Sequence, residues 1–434
     1  MKFYDRETEL EILNKSRLRS QKSSSFTVIT GRRRMGKTAL IRESKNDEKF
    51  LYFFVPRSTE VLLCEQLAAA AETDLGIELI NSGRFRDLFL QLMKYGTENN
   101  FTLVLDEFPN LDKIDKAIMG DIQNYWDQYK STSRVNLIVC GSVFSMMKKI
   151  FLDSKEPLWG RATSRFSLGP FRPSVVKRIL RDHNPDYEND DLLFLFMVTG
   201  GVPKYVEELM DNDATTFDKM LDAVCSPDSP FITDGMVLLI SEFGKEYGTY
   251  LSILELIAGG KNTIGEINDI TGKESGPYLE NLEKDYGLIK KSKSMFSEKS
   301  SRGVRWQLSD NYLRFYFRFM SSNQSLIEMQ RFDLLREKIH SEYEQYSGKV
   351  LEDYFREKLI EESEITEIGS YWDKRGQNEI DIIMLNDMTM KATVIEVKRD
   401  PKKADIGYLK KKAGTVGGLK KFEVEYKTLS LDDM

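Results

Sequence analysis

Phe26-Thr27-Val28-Ile29-Thr30-Gly31-Arg32-Arg33-Arg34-Met35-Gly36-Lys37-Thr38-Ala39-Leu40-Ile41-Arg42 decides the first half of the fold. An apolar run of strand character feeds a glycine-bounded loop, and the loop runs into a helical pattern. That order is the setting of a phosphate-binding loop. Gly31 and Gly36 let backbone N–H groups turn inward and approach phosphate oxygens with no Cβ in the way. Lys37 supplies a point charge for the β and γ phosphates, and the Thr38 hydroxyl is a ligand for Mg²⁺. The helix that follows adds partial positive charge at its start. The candidate nucleotide contacts are therefore Gly31, Arg32, Arg33, Arg34, Met35, Gly36, Lys37, Thr38 and Ala39.

Working outward, Phe101-Thr102-Leu103-Val104-Leu105-Asp106-Glu107 is a second apolar strand, and it ends in two carboxylates. Asp106 is placed to hold Mg²⁺ with Thr38, and Glu107 to polarise an attacking water. A binding protein without turnover would not need the second acid, so the pair predicts ATP hydrolysis with Lys37 and Glu107 as catalytic groups. A third apolar strand, Asn136–Cys140, ends in Gly141-Ser142. Ser142 either senses the γ-phosphate or caps a helix over Val143–Ile150. Arg161 and Arg165 follow, and either can contact phosphate from within the chain or across a boundary in a homo-oligomer.

Strands predicted at Phe26–Thr30, Phe50–Val55, Phe101–Leu105, Asn136–Cys140 and Arg165–Leu168 alternate with helical patterns. This predicts an α/β core with a mostly parallel sheet over residues 1–170. From 171 to 245 the pattern is helical (Pro173–Arg181, Asp190–Thr199, Lys204–Met210), as in a helical lid. Residues 246–325 read as three helices (Tyr250–Ala258, Ile264–Ile270, Gly276–Tyr286) and two short strands (Leu288–Lys290, Arg305–Leu308), the order of a winged helix-turn-helix. Lys273, Ser275, Tyr278, Lys284, Lys290, Lys291, Lys293, Lys299 and Arg302 are placed for phosphate contacts. Glu274, Glu280, Glu283 and Asp285 weaken that field, so the module reads either as DNA-binding or as a contact for a protein partner. The aromatic run Tyr312–Phe319 fits a buried helix that joins domains better than a base-stacking platform.

The chain has 434 residues, 41% hydrophobic and 30% charged, with a net charge of −6. The length predicts several domains, and the charge argues against a generally basic nucleic-acid binder while leaving local patches open. Two histidines, His183 and His340, lie in no motif, so the chemistry rests on carboxylates, lysine, amides and metal. Cys64, Cys140 and Cys225 are widely separated and fit neither a disulfide framework nor a zinc site. No apolar run approaches the roughly 20 residues that span a bilayer, and Met1–Arg6 carries no signal-peptide apolar region. The expectation is a cytoplasmic protein with no membrane partner.

Residues 340–434 change character again. A helix (Gly348–Leu359) precedes predicted strands Glu364–Ile368, Glu379–Leu385 and Thr393–Val397, with a lysine-rich tail. In a hairpin Asp381 and Glu396 converge on one divalent metal, and alternation puts Lys398 on the same face as Glu396. Oxygen ligands suit Mg²⁺ or Mn²⁺, the lysine can orient a water, and Glu352 can complete the set. A solvated charged face fits the same alternation.

Taken together and in order, Gly31–Thr38, Leu103-Val104-Leu105-Asp106-Glu107-Phe108, Cys140-Gly141-Ser142, Gly160-Arg161, Leu168-Gly169-Pro170-Phe171 and Gly200-Gly201-Val202-Pro203-Lys204-Tyr205 resemble the archaeal-type ATPase family of AAA/STAND P-loop ATPases. The family's loop usually has valine at the position of Met35. The resemblance covers about residues 1–240 and implies ATP with Mg²⁺ and Glu107 as the catalytic glutamate. Asp381 and Glu396-Val397-Lys398 resemble the motif of the PD-(D/E)XK nuclease fold, and the segment is similar to the C-terminal domain often joined to this ATPase family, where Trp372-Asp373 and the Glu379-Ile380-Asp381 string recur. The resemblance implies a restriction-endonuclease-like α/β domain over 340–434. The reading is an ATPase coupled to nucleic-acid binding and metal-dependent DNA cleavage. The alternative is an ATP-controlled switch whose C-terminal domains contact proteins and do not cleave.

Overall fold

The computed structural model describes residues 1–46, 49–243, 247–297, 304–373 and 378–434; Lys299 and Arg302 lie outside them. Two compact units divide the chain, residues 2–169 and residues 170–434 with Met1.

In the first unit five strands form one parallel sheet in the order β2-β3-β4-β1-β5: β1 (Ser25–Thr30), β2 (Phe50–Phe54), β3 (Asn100–Asp106), β4 (Arg134–Gly141) and β5 (Ser164–Ser167). The expected strands match these within one or two residues. β3 and β4 sit in the middle of the sheet and are buried along nearly their whole length. Side chains there meet apolar neighbours on both faces, which is why these strands read as continuous apolar runs. Phe26, Trp126, Phe101, Phe85 and Phe89 are among the large side chains fully buried in this core. The sheet brings the ends of β1, β3 and β4 side by side, so the loop after β1 faces the acids after β3. Ligands of open α/β sheets bind at such carboxyl ends.

In the second unit helices Pro173–His183, Asn189–Thr199, Pro203–Asp211, Phe217–Val224 and Pro230–Phe243 come first. The last two have no counterpart in the sequence reading. Gly200 and Gly201 have φ of +56° and +71°, and a Cβ on Gly201 would lie 2.3 Å from the carbonyl oxygen of Phe171. The Gly200-Gly201 pair is therefore a packing requirement.

Three helices, Tyr247–Ala258, Ile264–Thr271 and Gly276–Lys284, precede an antiparallel hairpin of β6 (Ile289–Ser292) and β7 (Arg305–Leu308). The aromatic run follows, with Tyr312, Phe315, Tyr316, Phe317 and Phe319 all buried, so it is a packing element. The expected helix Gly348–Leu359 is the end of a 31-residue helix, Phe332–Glu362.

A mixed four-stranded sheet closes the unit in the order β11-β10-β9-β8: β8 (Glu367–Trp372), β9 (Glu379–Asn386), β10 (Lys391–Lys398) and β11 (Glu423–Ser430). β11 runs parallel to β10, reached through the helix Ile406–Gly414. Among the described residues no helix is long and apolar enough to cross a membrane.

Candidate functional site

Main-chain conformation shapes the loop after β1. Gly31 has φ +153°, and a Cβ there would lie 2.8 Å from the carbonyl oxygen of Leu168. Gly31 thus answers to β5 packing as well as to the loop, a demand the motif alone does not reveal. Gly36 (φ +81°) and Arg34 (φ +71°) complete the turn. Met35 is buried, and Ala39 is exposed on the first turn of the helix Lys37–Glu43. The Lys37 ammonium folds back over the loop and donates to the carbonyls of Gly31 at 2.7 Å and Arg32 at 3.0 Å. Burial lowers its pKa, with Cys140, Glu107 and Asp106 opposing that shift.

Asp106 is held by neutral donors. Its Oδ2 accepts from the Thr38 hydroxyl at 3.2 Å and from the Tyr52 phenol. Its Oδ1 accepts from the Cys140 thiol at 2.8 Å and from the Glu107 amide at 2.9 Å. Burial, and then the Asp106 charge, push both the Tyr52 phenol and the Cys140 thiol upward, so both stay protonated and able to donate. None of these donors is a cation, and with the Thr38 oxygen beside it the carboxylate fits Mg²⁺. Tyr52 and Cys140 were not foreseen. Strand order carries the signal for them, because β2 and β4 flank β3.

Glu107 adopts φ +53°, a left-handed conformation rare for a non-glycine residue. The turn aims its carboxylate at Ser142, whose hydroxyl donates to Glu107 Oε2 at 3.0 Å. Ser142 therefore does not cap the next helix, which starts at Phe144 without a side-chain cap. The Arg161 guanidinium pairs twice with Asp127 Oδ2, at 3.0 and 2.9 Å, and Arg165 reaches only the Phe151 carbonyl, at 3.4 Å. Arg161 is thus tied to a structural partner in this conformation, and Arg165 remains exposed.

In the C-terminal sheet, the β9/β10 register pairs Ile382 with Ile395, which continued by one residue sets Asp381 opposite Glu396. Lys398 Nζ lies 3.5 Å from Asp381 Oδ2 and 3.4 Å from Glu396 Oε1, so the expected trio does converge. Glu396 is buried and also meets Lys412 at 3.5 Å. Asp381 Oδ2 further accepts from the Val397 amide at 2.8 Å, extending the ladder past its last main-chain pair.

Glu352 does not join them. Its carboxylate pairs with Lys349, and burial, aided by the nearby Asp381 charge against the pull of Lys349, pushes its pKa up to about 7. Among the described residues no three His, Cys, Asp or Glu side chains form a metal-binding group. Each of the three acids, Glu352, Asp381 and Glu396, is paired with lysine instead.

The basic residues expected on the helix and hairpin are partly neutralised. Lys284 pairs with Glu280, and Lys291 with Glu283 at 2.7 Å. Ser275 is buried, and its hydroxyl donates to Asn268.

Residues 3–209 match a family described as an ATPase domain predominantly from Archaea, and residues 316–407 match one described as archaeal and bacterial proteins of unknown function. An uncharacterised protein of Methanocaldococcus jannaschii is 32% identical over 415 residues, covering 93% of this chain and 89% of that protein. Among solved structures, the Walker-type ATPase of Pyrococcus abyssi is similar with a TM-score of 0.54 and 21% identity, over 73% of this chain and 96% of that one. The Aeropyrum pernix ORC2 protein, described in ADPNP–ADP complexes, is similar with a TM-score of 0.50 and 15% identity, over 78% and 96% of the two chains.

Proposed function

Because the chain belongs to the archaeal-type ATPase family and is an ATPase, we propose that it hydrolyses Mg-ATP at the loop Gly31–Ala39 and couples that cycle to nucleic acid bound through residues 246–434. The observation that carries the reading is the Thr38–Asp106–Glu107–Ser142 chain of contacts at the ends of β1, β3 and β4. The loop amides and Arg32, Arg33 and Arg34 surround the phosphates, and Lys37 leaves the loop carbonyls to take the phosphate charge. Thr38 and Asp106 would hold Mg²⁺, which offsets phosphate charge when bound. Glu107 accepts the proton of the attacking water while Ser142 fixes its carboxylate and senses the γ-phosphate. The ADPNP and ADP of the Aeropyrum protein are in keeping with an adenine nucleotide here.

The three helices and hairpin serve as a winged helix-turn-helix on DNA, and Asp381, Glu396 and Lys398 as a nuclease centre that takes Mg²⁺ or Mn²⁺ once Lys398 and Lys412 swing aside. A second reading is favoured by those same lysines: the acids are already neutralised, and the domain is an inactive protein-contact module of an ATP-controlled switch. A cleavage assay on the purified chain with Mn²⁺, with and without ATP, separates the two. Cleavage lost in Asp381→Ala with ATPase turnover spared supports the first reading, and DNA that neither stimulates turnover nor is cut supports the second.

A further inference from the structure

Residues 401–421 hold seven lysines and one acid, Asp405, in a chain whose net charge is −6. The helix Ile406–Gly414 crosses from β10 to β11 and spends its apolar side on the sheet, with Leu409 and Ala413 buried among Ile380, Ile383 and Val394. The lysines occupy what is left. Lys402 and Lys403 lie in the 3₁₀ turn before the helix, Lys410 and Lys411 on it, and Lys420 and Lys421 in the 3₁₀ turn after it. All six are exposed, and among the described residues none of them is in an ion pair. Two are steadied without being neutralised: Lys410 Nζ lies 5.6 Å from the Tyr426 ring centre, and Lys421 Nζ 4.9 Å from that of Phe422. The seventh, Lys412, turns inward to Glu396, whose carboxylate also accepts from the Asp405 amide at 3.4 Å. The helix that carries the lysines is thus anchored beside Glu396.

We propose that the outer side of this helix, with its two flanking turns, is a track for the phosphate backbone of duplex DNA, bound without regard to sequence. The proposal rests on the nucleic-acid reading of residues 246–434 and moves its main contact from residues 246–325 to this helix. A lysine ammonium is a point charge that suits phosphate and carries no base code. Nine helical residues span about 14 Å, the axial rise of about four phosphates of one strand, and the turns add lysines at both ends. Unpaired cations gain most from meeting phosphate. Lys284 and Lys291, already paired with Glu280 and Glu283, gain less. An anionic membrane is the poorer match, because insertion takes an apolar helix face. Here that face is buried on the sheet, and Ile406 and Tyr408 are exposed in the first turn alone. An acidic protein would want an apolar anchor at the centre of its interface, and between the helix lysines and the last turn the exposed residues are Gly414, Thr415 and Gly417.

The test is fluorescence anisotropy of the full chain on two labelled duplexes of unrelated sequence, each of about 30 base pairs, across a salt series. Both should bind alike, and affinity should fall at least about a thousandfold between about 50 and 200 mM NaCl, the loss expected for six phosphate contacts. Lys410→Gln, Lys411→Gln, Lys420→Gln and Lys421→Gln together should reduce that fall to about tenfold, with the thermal midpoint and DNA-free ATP turnover unchanged. Lys410→Arg, Lys411→Arg, Lys420→Arg and Lys421→Arg together should retain binding and its salt dependence. An unchanged salt slope in the glutamine variant, loss of binding in the arginine variant, preference for one duplex sequence, or tighter binding to phosphatidylserine vesicles or polyglutamate would each overturn the assignment. Duplex binding that survives the glutamine substitutions and is lost in Lys273→Gln with Lys293→Gln overturns this assignment alone and leaves the nucleic-acid reading standing. A wild-type chain that binds neither duplex at about 50 mM salt overturns both.

Discussion

Two carboxylate clusters, Asp106–Glu107 and Asp381–Glu396, sit at strand ends and differ in what holds them. Asp106 accepts from a hydroxyl, a phenol, a thiol and an amide, all neutral. Asp381 and Glu396 share Lys398, and Glu396 also meets Lys412. Neutral donors orient a carboxylate without cancelling its charge, so the first cluster is ready for a cation. The second is compensated internally, and a metal must displace ammonium groups to bind. Two acidic pairs that look alike in the sequence thus differ in readiness, and the difference lies in partners that come from other strands.

That contrast can be broken at several points. Lys37→Ala should lower ATP turnover by about a thousandfold or abolish it, the scale of removing a preorganised charge stabiliser; phosphate release at the wild-type rate would sink the site assignment. Glu107→Gln should lower turnover about a hundredfold while ATP binding persists, as for loss of a general base, measured by nucleotide affinity beside turnover. Lys398→Ala leaves Asp381 without its cation and Glu396 with Lys412 alone, and should lower stability by about 1–3 kcal/mol, partly restored by Mn²⁺ in a thermal melt. A variant that Mn²⁺ does not rescue would mark the cluster as structural. Tyr52→Phe removes one neutral donor from Asp106 and should cost about 1 kcal/mol, with Mg²⁺ dependence of turnover shifted a few-fold. Stability also depends on pH. Burial raises the folded pKa of Glu352 from 4.5 to about 7, so its contribution to stability is full below pH 4.5 and is lost as pH rises through about 7. Glu352→Gln should flatten that slope in denaturation midpoints.

Much of this was legible beforehand, for physical reasons. β1, β3 and β4 are buried on both faces, so they appear as unbroken apolar runs ending in glycine or acid. β11 was missed because its exposures alternate along Glu423–Ser430 and its charged residues read as tail. The helix Phe332–Glu362 was legible only over Gly348–Leu359, although its first half is no more charged than that stretch. In the nucleotide site the acids and loop were visible as motifs, while Tyr52 and Cys140 were not, because only strand order brings them to Asp106. At the C-terminal cluster the trio was foreseen from alternation. Lys412 was not, because it arrives from the helix Ile406–Gly414, which follows β10.

The left-handed turn at Glu107 has a consequence for selection. A glutamate held at φ +53° is under strain that glycine would not feel, on the order of 1 kcal/mol. Glu107→Gly should relieve that strain at the expense of the Ser142 hydrogen bond and turn ATP over no faster than Glu107→Gln. Random drift judged by folding alone would lead this position toward glycine, and a glutamate maintained there would be the imprint of turnover.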